Sequence, residues 1–270
     1  MMKVKRSHLF LVVVVMCTCA IMFRAHSRSP LAATLQRLRG KKTIANRVAQ
    51  FADPVRTRLT PAFDRIGVAY PPQHLTLVGL KAERKLEVWV SDATGDWRHL
   101  KDYPVLGMSG TLGPKLKEGD KQVPEGIYHV ESLNPNSLYH LALRLDYPNQ
   151  EDRQRGEADG RSALGSDIMI HGKKCSIGCL AIGDEAVEDL FVLAATTGIS
   201  NIVVVFSPVD FRLRSLPPDM PVVPQWANEL YRTIEEELLN FNKHYYAVDR
   251  ESGLKNSKIT TSNTSEKSSP

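Results

Sequence analysis

The sequence has 270 residues, a length that allows one domain, either alone or with appendages. Hydrophobic residues make up 42% of it, which is ordinary for globular proteins and excludes a chain too polar to build a core. The formal net charge of +5 is modest, and its distribution along the chain is more informative than its size.

Residues 1–29 have the composition of an export signal. Three basic residues precede an apolar run from Leu9 to Phe23, which is short for a membrane span because a span needs roughly 20 apolar residues. Ala25-His26-Ser27 offers a small-residue cleavage site, so the segment is either a cleaved signal peptide or an uncleaved inner-membrane anchor. In both cases we expect the folded part to lie in the periplasm, which argues against a nucleic-acid partner.

A basic segment, residues 30–69, follows this signal. Its apolar spacing predicts helical pieces that are broken at Gly40 and Pro54. Its lysines and arginines favour one of two interpretations. The segment is either a solvated helical linker or a stretch that lies against anionic lipid headgroups or wall polymers.

The next segment, residues 70–215, has the strand-and-turn rhythm of a β-rich domain. A hairpin is predicted from residues 75–80 and 85–90. Further strands are predicted at residues 127–131, 138–145, 167–170 and 202–206. Between residues 146 and 164 the chain turns polar, which predicts a long loop or a short helix. This order of elements indicates a β-rich domain rather than alternating βαβ units.

Two helices complete the predicted organisation. The first runs from Glu185 to Thr197, with Asp184 as its N-cap. The second lies within residues 216–250 and is amphipathic. Its apolar residues are spaced three or four apart: Trp226, Leu230, Ile234, Leu238 and Phe241. The tail, residues 251–270, is rich in Ser, Thr, Lys and Asn and is predicted to be disordered. The fold class is therefore α+β, mainly β.

The stretch from Ser166 to Gly183 carries the candidate chemistry. His171 ends a short apolar run, and Cys179 follows eight residues later, directly after Gly178. A thiol nucleophile needs a partner that takes its proton, and a neighbouring glycine lets backbone amides approach a developing oxyanion. This spacing is the layout of a cysteine nucleophile and its base.

These residues resemble the L,D-transpeptidase catalytic domain of the YkuD type, whose signature is His-Gly, a short spacer and Ser-x-Gly-Cys. Pro124-Glu125-Gly126-Ile127-Tyr128 is similar to the Thr-Pro-x-Gly-x start of a strand in that family. Asn134-Pro135-Asn136-Ser137 and Tyr147-Pro148-Asn149 are similar to its YafK-like murein branch. The resemblance covers roughly residues 70–212. It implies a β-rich catalytic domain that carries the motif on a strand and the following turn.

The resemblance also implies a role for each motif residue. Cys179 is the nucleophile and His171 its base, Gly172 lets the chain pass close to the cysteine, and Ser176 supports the turn. The amides of Gly178 and Cys179 form the oxyanion hole. No metal or other cofactor is implied.

The implied reaction is acyl transfer on peptidoglycan stem peptides. The thiolate attacks the carbonyl of meso-diaminopimelate and gives a thioester, which an amine or water resolves. The outcome is then either L,D-transpeptidation or hydrolysis that detaches a wall-linked lipoprotein. The alternative from another class is a non-catalytic module that binds peptidoglycan, although such a binder has no need of a thiol.

Two departures from the family leave the substrate contacts open. Ile177 stands where the family usually has histidine, and Ala181 stands where arginine is common. A guanidinium at position 181 would suit a substrate carboxylate, so another cation must take its place. The candidate cations are Lys173, Lys174, Arg153 and Arg155.

Arithmetic on the thiol favours proton transfer as the main role of His171. If the histidine lowered the pKa of Cys179 from about 8.5 to about 6.5, the thiolate fraction at pH 7 would rise roughly 25-fold. Nucleophilicity would fall about 10-fold over the same change, which leaves a gain of only about 2- to 3-fold. General acid and base catalysis contributes about 10²- to 10⁴-fold.

Three other interpretations compete for the same residues. His171, Cys175 and Cys179 would align as zinc ligands on a helix, but the glycines between them argue against a helix and no fourth ligand is evident. Cys175 and Cys179 are also candidates for a disulfide in an oxidising periplasm. Ser109 lies in a glycine-rich turn that is not a nucleophile elbow, so we assign it to turn chemistry.

Overall fold

The computed structural model describes residues 40–241, and all secondary structure in that range lies in the unit that begins at Ile44. The predicted export signal and the predicted disordered tail lie outside the described residues. Within them, no helix is long and apolar enough to span a membrane.

Strands and helices alternate irregularly along the described chain. The strands are β1 (His74–Leu80), β2 (Lys85–Ser91), β3 (Arg98–Pro104), β4 (Gly126–Asn134), β5 (Ala142–Leu145), β6 (Met169–His171), β7 (Leu180–Ala181) and β8 (Ile202–Ser207). The α-helices are α1 (Ile44–Ile66), α2 (Gln150–Ala158), α3 (Asp184–Thr197) and α4 (Ala227–Asn240), and a 3₁₀ turn spans Ile199–Asn201.

All eight strands belong to one sheet with the order β3-β2-β1-β8-β4-β5-β6-β7. The pairs β1–β8 and β6–β7 are parallel, and the other neighbouring pairs are antiparallel. The predicted α+β, mainly β, fold class is confirmed. The helix after Cys179 and the amphipathic C-terminal helix are present as α3 and α4.

The half of the sheet formed by β1, β2 and β8 is covered on both faces. Every residue of β1 after His74 is buried. One face joins the main core with α1 and α3, through residues such as Leu77 and Val204. The other face packs against α4, where Val78 lies in a second cluster with Ile234. This half is the middle layer of a helix, sheet and helix sandwich.

Helix α1 corrects the predicted break at Pro54. The helix continues through Pro54 and Pro61, and it buries four large apolar side chains in the main core: Phe51, Val55, Leu59 and Phe63. Each contributes about 1.5–3 kcal/mol on burial. Together they offset the roughly 3 kcal/mol that each interior proline costs. Arg58 forms an ion pair with Asp189 of α3 at 2.7 Å, so the part of the basic segment from Ile44 to Ile66 packs on the domain instead of lying free as a solvated linker.

The half of the sheet formed by β4 to β7 has one covered face and one face that is only partly open, because Ala142, His171 and Ala181 on the second face are buried. Leu143 and Ile170 point into the main core. The register pairs Ser132 with Arg144 and Arg144 with Met169. These three side chains lie on the opposite face and are partly or fully exposed. Side chains alternate between the faces of a strand, so the open face carries a row of residues that run across neighbouring strands.

One predicted strand is displaced. β5 begins at Ala142 rather than at residue 138, because the residues before it form a turn in which His140 has a φ of 77°. β3, from Arg98 to Pro104, is an additional strand that the sequence did not predict. In the polar segment that follows β5, the predicted loop or short helix is α2, which starts with a capping box between Asn149 and Asp152.

A buried ion pair anchors the long connection between β3 and β4. Lys81 Nζ lies 2.8 Å from Glu125 Oε1 and donates to the carbonyl oxygens of Gly113 and Val123. The other oxygen of Glu125 accepts from the Tyr231 hydroxyl of α4 at 2.8 Å. The connection is therefore tied to β1 at one side and to the C-terminal helix at the other.

Candidate active site

His171 ends β6, and Cys179 directly precedes β7, the parallel neighbour of β6. The register pairs Ile170 with Leu180 and His171 with Ala181. Cys179 directly precedes Leu180, so continuing this register puts it beside Met169. Alternate residues of a strand share a face, and both side chains therefore lie on the same face of the sheet.

His171 is oriented by a backbone carbonyl. Its imidazole is only 2% exposed, and Nδ1 lies 2.6 Å from the Gly172 carbonyl oxygen. A carbonyl oxygen only accepts, so Nδ1 carries the proton and Nε2 is left as the acceptor. The Tyr139 ring stacks on the imidazole with a centroid distance of 4.4 Å. Burial lowers the pKa of His171, so the ring is neutral at pH 7.

Cys179 is a partly exposed free thiol. Its Sγ donates to the Asp167 carbonyl oxygen at 3.5 Å. Burial raises the pKa of Cys179, the Met169 backbone amide opposes this shift, and the Asp167 carboxylate adds to it. The thiol is therefore protonated at neutral pH, which is the opposite of the lowered pKa considered in the sequence analysis. With a neutral imidazole nearby, the site at rest holds no thiolate.

Both amides predicted to form the oxyanion hole are engaged by serine hydroxyls. The Gly178 amide donates to Ser109 Oγ at 2.8 Å, and the Cys179 amide donates to Ser176 Oγ at 2.9 Å. Ser109 in turn donates to the Lys121 carbonyl oxygen at 2.7 Å. The assignment of Ser109 to turn chemistry alone was therefore incomplete, because its side chain contacts the loop that carries Cys179.

Two glycines near the site occupy positions where a Cβ atom would clash with neighbouring atoms. A Cβ on Gly172 would lie 2.6 Å from both Asp184 Oδ1 and the Tyr139 carbonyl oxygen. A Cβ on Gly107 would lie 2.1 Å from the Lys174 carbonyl oxygen. Gly107 also pairs with Ala181 through hydrogen bonds of 2.9 and 3.1 Å, and Ala181 is fully buried. A long cationic side chain at position 181 would not fit without displacing this contact.

The four predicted substrate cations have other partners or lie in solvent. Lys173 donates to Asp184 from both its backbone amide and its Nζ, each at 2.8 Å. Arg153 donates to a backbone carbonyl of its own helix cap, and Arg155 lies over the Trp226 ring at 5.0 Å. Lys174 is exposed. In the described part of the chain, none of them hydrogen-bonds to Cys179 or His171.

Sequence analysis missed three residues near the cysteine. Asp167 contacts the sulfur through its carbonyl oxygen, and its carboxylate forms an ion pair with Arg144 at 2.8 Å. Lys115 is close enough to lower the pKa of Cys179. A signal for Arg144 was present, because it is a charged residue between Leu143 and Leu145 in a strand. Only strand pairing brings it near the cysteine.

The competing interpretations of this stretch are not supported by its geometry. The stretch from His171 to Cys179 is a strand end followed by a loop, so the spacing of four does not align three ligands on a helix. Among residues 40–241, no cluster of three or more His, Cys, Asp or Glu side chains is placed to hold a metal ion. Cys175 and Cys179 are not joined by a disulfide in this structure.

The chain is similar in sequence to a protein found in two strains of Escherichia coli. The chain is 36% identical over 113 residues to "Putative L,D-transpeptidase YafK" of Escherichia coli K12, a match that spans 41% of this chain and 43% of that protein. No protein-family model matches the chain.

Among solved structures, the helical cell shape determining protein Pgp2 of Campylobacter jejuni is 22% identical, with 57% of this chain and 55% of that chain covered and a TM-score of 0.41. Bd1075 of Bdellovibrio bacteriovorus is 20% identical, with 65% and 58% covered and a TM-score of 0.38.

Proposed function

The chain carries a YafK-like L,D-transpeptidase-type domain, and on this premise we propose that it catalyses acyl transfer on peptidoglycan stem peptides with Cys179 as nucleophile. The acyl group is that of meso-diaminopimelate, carried on the sulfur as a thioester. Water resolves it in hydrolysis, which would detach a wall-linked lipoprotein, and an amine resolves it in L,D-transpeptidation. Both outcomes use the same first half-reaction.

One observation supports this proposal most. The register of β6 and β7, continued by one residue to Cys179, puts His171 and Cys179 on the same face of the sheet, and the Gly172 carbonyl holds the imidazole so that Nε2 is its accepting nitrogen. A base must have its lone pair free and its orientation set before it can take a thiol proton.

In the first half-reaction, Sγ of Cys179 attacks the carbonyl carbon of diaminopimelate while Nε2 of His171 takes the thiol proton. A C–S bond forms, and the carbonyl oxygen gains negative charge. The intermediate then collapses with cleavage of the C–N bond to the next residue. The imidazolium of His171 returns its proton to the leaving amine.

In the second half-reaction, water or an amine attacks the thioester carbonyl and His171 takes its proton. The C–S bond breaks, and the leaving sulfur recovers a proton from His171. Because the pKa of Cys179 is raised and the pKa of His171 is lowered, proton transfer accompanies each attack instead of preceding it. The histidine is needed in both half-reactions, which fits its proposed role as acid and base.

Oxyanion stabilisation requires a rearrangement of the loop. The Gly178 and Cys179 amides donate to Ser109 and Ser176 at rest, so at least one hydroxyl must move for an amide to reach the substrate oxygen. The proposed location for this chemistry is the periplasm. The proposed macromolecular partners are peptidoglycan and, in the hydrolytic case, a lipoprotein attached to it.

The test is mass spectrometry of sacculi after incubation with the protein. Sacculi with and without attached lipoprotein are treated with the wild-type protein or with Cys179→Ala. Loss of the lipoprotein stub that depends on Cys179 identifies a hydrolase, and new links between diaminopimelate residues identify a transpeptidase. Equal products from the two proteins would contradict the proposal.

A second candidate function is a binding module for peptidoglycan that does no chemistry. The observation in its favour is that both candidate oxyanion amides are occupied and the thiol is protonated at rest. Co-sedimentation with sacculi separates the two functions. A binder sediments equally well as wild type and as Cys179→Ala and leaves the sacculus composition unchanged.

A further inference from the structure

The open face of the β4 to β7 half presents one row of side chains that ends at the cysteine. Ser132, Arg144 and Met169 are consecutive partners in the register, and Cys179 continues the row beside Met169. Adjacent strands are about 4.8 Å apart, so the backbone of Arg144 lies ~10 Å from that of Cys179. A substrate whose carbonyl reaches the sulfur can extend along this row.

Arg144 is held close to the sulfur by two carboxylates. Its Nε lies 2.8 Å from Glu131 Oε2, and its Nη1 lies 2.8 Å from Asp167 Oδ1. Asp167 is also the residue whose carbonyl oxygen accepts from the Cys179 thiol. A single residue therefore connects the guanidinium to the sulfur.

The cluster of Arg144, Glu131 and Asp167 is accessible and has donors to spare. The three side chains are 38%, 53% and 61% exposed, respectively. An arginine has five N–H groups. Among the described residues, Nε of Arg144 is buried and has no hydrogen-bond acceptor, although Glu131 Oε2 lies 2.8 Å away.

The charges of this cluster match a ligand that carries both signs. One guanidinium between two carboxylates offers donors for a carboxylate and, beside them, acceptors for an ammonium group. A carboxylate alone would be repelled by Glu131 and Asp167. An amine alone would be attracted to these two carboxylates but would leave the donors of Arg144 unused. A free amino-acid group has both charges on one carbon.

We propose that Arg144, Glu131 and Asp167 form the subsite that binds the amino and carboxylate groups at the side-chain end of diaminopimelate. This inference rests on the proposed function, because it assumes that the diaminopimelate carbonyl reaches Cys179. The side chain of diaminopimelate carries these two groups at the end of a short aliphatic chain. Arg144 thus supplies the cation that Ala181 lacks and that Lys173, Lys174, Arg153 and Arg155 do not provide.

The experiment compares two synthetic stem peptides, one with meso-diaminopimelate and one with L-lysine at the same position. Lysine keeps the amine and removes the carboxylate. We expect kcat/KM of the wild-type protein to favour the diaminopimelate peptide by about 10- to 100-fold, the effect of a hydrogen-bonded charge pair. Arg144→Ala should lose most of this preference, by a fall in kcat/KM for the diaminopimelate peptide alone.

Arg98→Ala is the matched control. Arg98 is also 38% exposed, and its ion-pair partner is the carboxylate of Asp96. It lies at the start of β3, whereas the residues that hydrogen-bond to Ala181 follow the other end of that strand. The pH dependence of Cys179 alkylation is measured in each variant, because removing Arg144 leaves Asp167 uncompensated near the thiol. A shift in the thiol pKa would change the rates with both peptides equally. The rate with the lysine peptide therefore serves as the reference by which the rate with the diaminopimelate peptide is divided.

The outcomes separate this inference from the proposed function. If Arg144→Ala slows both peptides equally or neither, the subsite is wrong while acyl transfer stands. If the wild-type protein converts neither peptide, acyl transfer on stem peptides is wrong. Calorimetric titration of Cys179→Ala with both peptides then tests binding at the proposed subsite independently of acyl transfer. A preference for diaminopimelate that Arg144→Ala removes supports it, and equal Kd values overturn it.

Discussion

Each half of the sheet contains antiparallel strand pairs and one parallel pair, but the halves differ in how many of their faces are covered by helices. In β1, β2 and β8 both faces are buried, one by α1 and α3 and the other by α4. In β4 to β7 the face toward α3 is buried and the other is only partly covered: Ala142, His171 and Ala181 on it are buried, whereas Arg144, Met169 and Cys179 are in contact with solvent. Stability is therefore concentrated in one half and the proposed chemistry in the other.

This difference follows from where the helices attach. α4 packs on the face of β1, β2 and β8 and does not extend over the strands that carry His171 and Cys179. The solvent-exposed row on this face is where the proposed substrate would bind, and polar residues there need no buried partners. Substitutions in the two halves should accordingly separate loss of activity from loss of stability.

The largest expected effect is on activity, from His171→Gln. Without its acid and base, the site should lose about 10²- to 10⁴-fold in kcat while the fold is retained. Product formation from sacculi measures the loss, and circular dichroism follows folding. His74→Gln is the control, because His74 is exposed at the start of β1. A fall in kcat of less than about 5-fold would remove His171 from the mechanism.

The next effect is on stability, from Ile234→Ala in the fully covered half. Ile234 is fully buried between α4 and the sheet. Its truncation should lower the free energy of unfolding by about 2–5 kcal/mol, with kcat per folded molecule within about 2-fold of wild type. Urea unfolding measures the first quantity. Leu239→Ala, at a 47% exposed position of the same helix, should change stability little. A large loss of kcat in Ile234→Ala would show that the halves are coupled.

A smaller effect is expected from Ser109→Ala. The variant loses the acceptor of the Gly178 amide and the donor to the Lys121 carbonyl. One hydrogen bond contributes about 0.5–1.5 kcal/mol, so kcat/KM should fall about 3- to 10-fold as the cysteine loop loses its support. Ser109→Thr should retain most of the activity. A rise in kcat would instead show that the hydroxyl competes with the substrate oxygen for this amide.

The smallest effect is the pH dependence. Because the pKa of His171 is lowered, kcat/KM should rise with pH through a midpoint below the ordinary histidine value of about 6.5. Because the pKa of Cys179 is raised, its alkylation by iodoacetamide should increase only above the ordinary thiol value of about 8.5. Mass spectrometry assigns the label to Cys179 rather than to the exposed Cys175. Fast labelling of Cys179 at pH 7 would contradict a protonated resting thiol.

Several elements were predictable because their signals are local. The hairpin of β1 and β2 follows from two apolar runs that a short polar turn separates, and α3 follows from its apolar spacing and Gly198. The same holds for the pairing of His171 and Cys179 as candidates, since both lie in one short motif. The predictions that failed rested on local signals that tertiary packing overrides. Pro54 reads as a helix breaker, yet buried contacts with the core carry α1 through it.

The sequence by itself determined the fold class, the amphipathic C-terminal helix and the two residues of the candidate nucleophile and base. Only the tertiary structure decided their surroundings. Ser109 contacts Gly178 across 69 positions of chain, and Arg144 reaches Asp167 only because β5 pairs with β6. Periodicity and motifs report neighbours along the chain, whereas burial, and with it the pKa of a thiol or an imidazole, depends on segments that folding brings together from far apart.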